Sequence, residues 1–145
     1  MLKKPISIQV IIFNTSNQIL LLQRTDNKNY WQSVTGSLEE NEAPDDAAMR
    51  EVFEETGIIV NEHLFFNFSK NNQYLIFKEW QHRYPKSQKK NVEHLFGLQL
   101  KNNTPIILNP NEHKAFKWVP FEEALTNVFS WTNKKALREF KKIYE

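Results

Sequence analysis

The sequence predicts an α+β layered domain, and three observations carry that expectation. Short apolar runs, alternating or continuous, recur through most of the chain as strands do. Two stretches, one early and one at the C-terminal end, space their apolar residues as helices do instead. The 145 residues, 40% hydrophobic and 25% charged, make one domain by length (1–145), large enough to bury a core. Many strands around one early and one terminal helix bury their apolar faces by layering.

In residues 6–12, Ile6, Ile8, Val10 and Ile12 alternate with Ser7, Gln9 and Ile11, which predicts a strand with one better-buried face. Asn14-Thr15-Ser16-Asn17 is a turn, and 19–22 is a more buried second strand, so the pair predicts a hairpin. Residues 31–35 are a short extended piece running into Gly36. Pro44 opens a helix at its first turn, with Asp45 and Asp46 beside its positive end, and Gly57 ends it after Thr56. On that helix Ala48, Met49, Val52 and Phe53 form an apolar stripe, read as core packing. Strands are expected at 64–68 and 74–80, parted by a polar loop at 69–73, and again at 92–100, 106–108 and 115–119. A short helix is expected at 120–125. A longer one is expected from Trp131 or Thr132, with Ala136, Leu137, Phe140, Ile143 and Tyr144 on one face.

The bulk numbers narrow the function. A formal charge of +2 demands neither nucleic acid nor an anionic membrane as partner. With no cysteine there is no disulfide and no thiolate metal site, which fits a reducing cytoplasm. No run approaches a membrane span, and Met1-Leu2-Lys3-Lys4-Pro5 leads straight into the first strand without a secretory pattern. The expectation is a cytoplasmic domain of undetermined oligomeric state. Lys86-Ser87-Gln88-Lys89-Lys90 reads as a solvated loop, and His63, His82 and His94 show no ligand spacing.

The chemistry concentrates in residues 36–58. Glu51, Glu54 and Glu55 stand at i, i+3 and i+4, so a helix gathers all three on one stripe. Three like charges there repel, and a hard divalent cation with oxygen ligands is their natural partner. Arg50 falls beside the stripe, where its guanidinium can hold a carboxylate in place. Gly36 permits a close backbone approach, and its carbonyl is a further candidate ligand. An ordinary solvated acidic face would explain neither Gly36 and Gly57 nor the placement of Arg50.

Gly36, Glu42, Arg50, Glu51, Val52, Glu54, Glu55, Gly57 and Ile58 fill every fixed position of the Nudix box, G-x5-E-x7-R-E-U-x-E-E-x-G-U with U a bulky aliphatic residue. The chain resembles that superfamily. The resemblance implies an α/β/α sandwich around a mixed β-sheet and hydrolysis of a phosphoanhydride in a small-molecule triphosphate. It also implies Mg²⁺, with Mn²⁺ an alternative, on Glu51, Glu54 and Glu55, and it makes Glu51 a candidate for orienting the attacking water.

The approach to the box, Trp31-Gln32-Ser33-Val34-Thr35-Gly36-Ser37, resembles the bacterial dihydroneopterin triphosphate diphosphatases. So do Lys3-Lys4-Pro5, Leu22-Gln23-Arg24, His82-Arg83-Tyr84, Glu112-His113-x-Ala115-Phe116-Lys117-Trp118 and Ser130-Trp131-x-Asn133. This resemblance implies Glu51, Glu55 and Glu112 as principal metal ligands. It implies substrate contacts from Lys3, Arg24, Thr35, Ser130 and the strand residues Tyr74, Leu75, Ile76 and Phe77. Tyr74 and Phe77 suit a flat wall for a pterin ring and equally a packed strand. His113 is expected to face solvent. The activity implied is release of pyrophosphate from dihydroneopterin triphosphate. The alternatives are a deoxynucleoside triphosphate such as dATP, or a ligand-binding regulator without turnover.

Overall fold

The computed structural model describes residues 4–75, 82–83, 90–101 and 104–144. In chain order the elements are β1 (Ile6–Asn14), β2 (Gln18–Arg24), β3 (Trp31–Gln32), β4 (Val34–Ser37), α1 (Pro44–Thr56), a 3₁₀ turn (Val60–Glu62), β5 (Leu64–Leu75), β6 (Lys90–Leu100), β7 (His113–Pro120), α2 (Phe121–Asn127) and α3 (Trp131–Tyr144). The main path of the sheet runs β3-β2-β1-β6-β5, with β4 added to β1 and β7 to β2. β1 and β6 are parallel along the whole of β1, while the other pairings are antiparallel, so the sheet is mixed. No helix among the described residues is long and apolar enough to cross a membrane.

The sheet splits, and the split positions the site. β1 and β2 form the expected hairpin but pair only at Phe13 and Ile19. Beyond that point β1 takes β4, from Ser7 opposite Ser37 to Val10 opposite Val34, and β2 takes β3, while β7 follows the other side of β2 along its whole length. Ser33, between β3 and β4, is pinned by Asn133 of α3. Its N–H donates to Asn133 Oδ1 at 2.8 Å, and Asn133 Nδ2 donates to its Oγ at 3.0 Å.

Strand periodicity places two cores on the two faces. Ile8, Val10 and Ile12 of β1, Leu20 and Leu22 of β2, and Phe96 and Leu98 of β6 pack with Ala47, Ala48 and Val52 of α1. Ile11, Phe13, Ile19, Leu21 and Leu95 pack on the opposite face with Ala124 of α2 and Ala136, Leu137 and Phe140 of α3. Helices on both faces of one sheet make the expected α/β/α sandwich.

Several expectations need correction. β1 has no lesser face, because Ser7 and Gln9 are as buried as their apolar neighbours. The polar loop expected at 69–73 is a bulge inside one continuous strand. Pairing with β6 shifts between Asn67 and Asn71, Ser69 takes φ 54°, and its N–H bonds Asn67 Oδ1 at 2.8 Å. Of the strand expected at 74–80, β5 supplies Tyr74 and Leu75; residues 76–80 lie outside the described residues. Residues 106–108 form no strand. Ile107 instead donates its N–H to Thr56 O at 2.8 Å and closes the end of α1, where Gly57 sits at φ 74°. Phe53 and Ile143 are exposed, so the apolar stripes of α1 and α3 are narrower than their periodicity suggests.

Candidate active site

α1 presents its acids differently, although all three follow helical spacing. Glu55 is buried with its side chain only 3% exposed, Glu51 is mostly covered, and Glu54 is 48% exposed. Glu51 and Glu55 line a cavity of about 760 Å³ at the split of the sheet, whereas Glu54 is not among the residues that line it. Glu54 turns instead toward Arg50 Nη1 at 3.3 Å.

Arg50 organises this edge. Its Nε and Nη2 donate to the two Glu42 oxygens at 2.8 and 2.9 Å, a bidentate pair. Nη1 donates to Glu51 Oε1 at 2.6 Å, and Nη2 also reaches Ser37 O at 3.0 Å. One guanidinium thus ties the loop before α1, the end of β4 and the helix together. The Arg50 hydrogen bonds hold the Glu42 carboxyl below its ordinary pKa. Glu51 is shifted the other way, chiefly by burial. Glu55 rises well above its ordinary value, by burial first and then by the neighbouring Glu51.

Two observations test whether a divalent cation suits this edge. A Cβ on Gly36 would stand 2.2 Å from the Glu51 carboxyl carbon, so only glycine lets the β4 backbone and that carboxylate meet. Glu55 Oε1 is buried with no hydrogen-bond partner among the described residues. Two crowded carboxylates with raised pKa values and an unpartnered buried oxygen form a hard, anionic donor set that fits such an ion. As they stand, no three His, Asp or Glu side chains among the described residues are gathered closely enough to chelate one. Glu112 is exposed on the loop before β7 and lines the same cavity.

His113 overturns its expected exposure. It is buried at the start of β7, and its Nε2 lies 3.0 Å from Gln32 Nε2. An amide nitrogen only donates, so His113 Nε2 accepts and the ring proton sits on Nδ1. That Nδ1 faces Glu55 Oε1 at 3.9 Å. Burial lowers the imidazole to about 4, so the ring is neutral, and its Nδ1 has no hydrogen-bond partner among the described residues.

Arg24, Thr35 and Ser130 line the cavity with these acids. Arg24 is held by Asp26 through Nε and Nη2 at 2.9 and 2.6 Å and lies over the Tyr30 ring at 4.9 Å. Ser130 caps α3, its Oγ accepting the Asn133 N–H at 3.1 Å. Lys3, Ile76 and Phe77 lie outside the described residues, as do the side chains of Tyr74 and Leu75.

Sequence reasoning missed the remaining wall. Ser7 and Gln9 of β1, Asn91 and Glu93 of β6 and Thr35 of β4 share one sheet face, because the β1 registers with β6 and β4 align them. This is the face that carries Ile11, Phe13 and Leu95 under α3. At its other end it turns polar and lines the cavity. Tyr30 and Phe129, ring centroids 4.5 Å apart, and Trp131 add flat apolar surface. The available signal was polar residues at alternate positions of otherwise apolar strands, Ser7-x-Gln9 and Asn91-x-Glu93.

Known proteins resemble this chain along nearly its whole length. An Escherichia coli (strain K12) protein named dihydroneopterin triphosphate diphosphatase is 39% identical over 141 residues, 95% of this chain and 93% of that one. A Haemophilus influenzae protein of the same name is 30% identical, covering 92% of this chain and 85% of its own. The structure of the E. coli dihydroneopterin triphosphate pyrophosphohydrolase superposes with a TM-score of 0.87 at 37% identity, covering 97% of each chain. The NUDIX domain family matches residues 3–140, which take in the acidic edge of α1, the split sheet and both helical layers, and the chain belongs to that family.

Proposed function

We propose that this protein hydrolyses 7,8-dihydroneopterin triphosphate to dihydroneopterin monophosphate and pyrophosphate, with Mg²⁺ as the metal and Mn²⁺ as a substitute. The observation that carries the reading is one cavity with buried carboxylates on α1, the Arg24 cation on β2, and flat apolar walls. Full-length similarity to relatives that bear this activity in their names supports the same substrate.

Members of this family generally use divalent metal ions. Glu51 and Glu55, with Glu112 and the Gly36 carbonyl, would hold the ion here, and Glu54 would complete its surroundings from the outer side. When bound, it offsets phosphate charge and acidifies a water molecule. The chain's own groups do the rest. Arg50 fixes Glu51 against Gly36, so that carboxylate is already placed when substrate arrives. Arg24 offsets charge on the polyphosphate, while Thr35 and Ser130 offer hydroxyls to its oxygens. Water adds to a phosphorus as the bridging P–O bond breaks. Pyrophosphate leaves with the bond's electron pair, and the water's proton passes to a carboxylate of the α1 edge.

A substrate panel with Mg²⁺ and coupled pyrophosphatase tests this reading. Dihydroneopterin triphosphate should show the highest kcat/KM and yield monophosphate plus pyrophosphate in equal amounts. Faster turnover of dATP would replace the pterin reading, and tight binding without turnover across the panel would replace the enzymatic one.

A further inference from the structure

The polar end of the β1/β6 face has no part in the chemistry at phosphorus, yet it is among the most buried polar surface described. Glu93 is 2% exposed and lines the cavity. Among the described residues its hydrogen bond comes from Gln9 Nε2, at 2.9 Å from Oε1, and no cation pairs with it. Gln9 spends its amide donor there and leaves its own Oε1 buried without a partner. Asn72, opposite Glu93 on β5, has a buried Nδ2 that reaches no acceptor among the described residues, Glu93 included, and it does not line the cavity. Beside Ser7 and Asn91, which bond each other, the cavity therefore meets at this end a carboxylate that accepts one hydrogen bond among the described residues. Enclosing a carboxylate without a cation is costly unless donors arrive from elsewhere.

We propose that Glu93, steadied by Gln9, reads the ring of the substrate by accepting two parallel hydrogen bonds from a ring N–H and its adjacent exocyclic amine. That edge belongs to 2-amino-4-oxopyrimidines, the chemistry shared by pterin and guanine rings, and it matches a carboxylate in bidentate fashion. Adenine presents an acceptor beside its amine and cannot satisfy both oxygens. The inference rests on the proposed function for which ring is bound, and on the cavity alone for which edge is read.

Placement supports it. Ser7 stands opposite Glu93 in one register and opposite Ser37 in the other, so Glu93 lies two strands from the residue following Gly36. Strand spacing makes that roughly 10 Å, a span suited to a ring at one end and polyphosphate at the other. Tyr30 and Phe129 line the cavity between flat faces and solvent. Burial first and then, against the pull of Arg24, the Glu93 charge raise the Tyr30 hydroxyl pKa, so the ring and the carboxylate share one field. Burial also raises Glu93 to about 7, which marks a carboxylate short of donors.

The test compares wild type with Glu93→Gln, which keeps the shape but replaces one acceptor with a donor. Dihydroneopterin triphosphate is the substrate, and dGTP and dITP, which differ only in the exocyclic amine, are competing ligands. We expect Glu93→Gln to raise KM for the pterin by about tenfold or more, with kcat changed only a few-fold. Wild type should prefer dGTP over dITP by about tenfold, and the variant should lose that preference. An unchanged KM in a variant that still turns over the pterin would overturn the inference while leaving the function standing. Failure of wild type to hydrolyse the pterin, with the dGTP preference present and abolished in Glu93→Gln, would sink the substrate and keep the edge recognition. The dGTP/dITP comparison needs no variant, so equal affinity of wild type for the two also overturns the inference even if Glu93→Gln misfolds.

Discussion

The cavity has two carboxylate ends built in opposite ways. At one end Glu51 and Glu55 belong to a single helix and crowd each other, and Arg50 ties Glu51 to Glu42 and Ser37. At the other, Glu93 meets a partner 84 residues away in sequence, Gln9, and no cation among the described residues. The first end is an over-supply of negative charge that a divalent ion relieves. The second is a shortage of donors that a ligand ring relieves. A cavity with those two deficits is shaped for a molecule that is polyanionic at one end and donor-rich at the other.

Cutting the acidic end should produce the largest effect. Glu55→Gln removes the buried charge without changing volume, and we expect kcat to fall by about a thousandfold or more with the fold intact. Glu54→Gln should cost much less, because that side chain is half exposed beside Arg50 and outside the cavity lining. Steady-state kinetics with circular dichroism as the folding check decides it. Equal losses in the two variants would erase the distinction between the buried and the outer glutamate.

Gly36→Ala probes the same end through the backbone. The added methyl would stand 2.2 Å from the Glu51 carboxyl carbon, so that side chain must move and loosen its bond from Arg50. A displacement of that size should lower kcat by roughly 10- to 100-fold and weaken the response to Mg²⁺, measured as a metal titration of the rate. Wild-type metal dependence in the variant would show that Glu51 does not need its contact with β4.

How much of each end was legible follows from how each is assembled. The acidic helix is written in consecutive residues, and a helix converts spacing directly into a shared face. Gly57 and Pro44 marked its ends for the same local reason. The polar patch exists only after β1 and β6 align in parallel, a pairing that no local pattern specifies. Taken alone, Ser7-x-Gln9 reads as a strand's solvent side, and that is how it misleads. His113 was hidden similarly, because its burial depends on Gln32 and Glu55 from two other elements. The bulge at Ser69 shows a third limit. A run of polar residues looks like a loop when a neighbouring strand can absorb it with one residue at positive φ.

The smallest effect expected separates the two ends by proton linkage. Glu93 is raised to about 7 by burial from an ordinary value of 4.5. Between those values the folded protein keeps a proton that the unfolded chain releases. This contribution is therefore complete below pH 4.5 and is lost as pH rises through 7. Its full size is about 3 kcal/mol, or up to roughly 10 °C in Tm for a chain of this length. His113 works in the opposite direction, since its pKa falls to about 4 and its contribution is lost as pH drops from 6.5 toward that value. Glu93→Gln keeps His113 and the α1 acids unchanged, so their contributions cancel when the variant is compared with wild type at each pH. The Tm of Glu93→Gln minus that of wild type should therefore grow by several degrees between pH 5 and pH 8 in thermal melts without ligand. A flat difference would mean that Glu93 is ionised at little cost, and the donor shortage that distinguishes its end of the cavity would be gone.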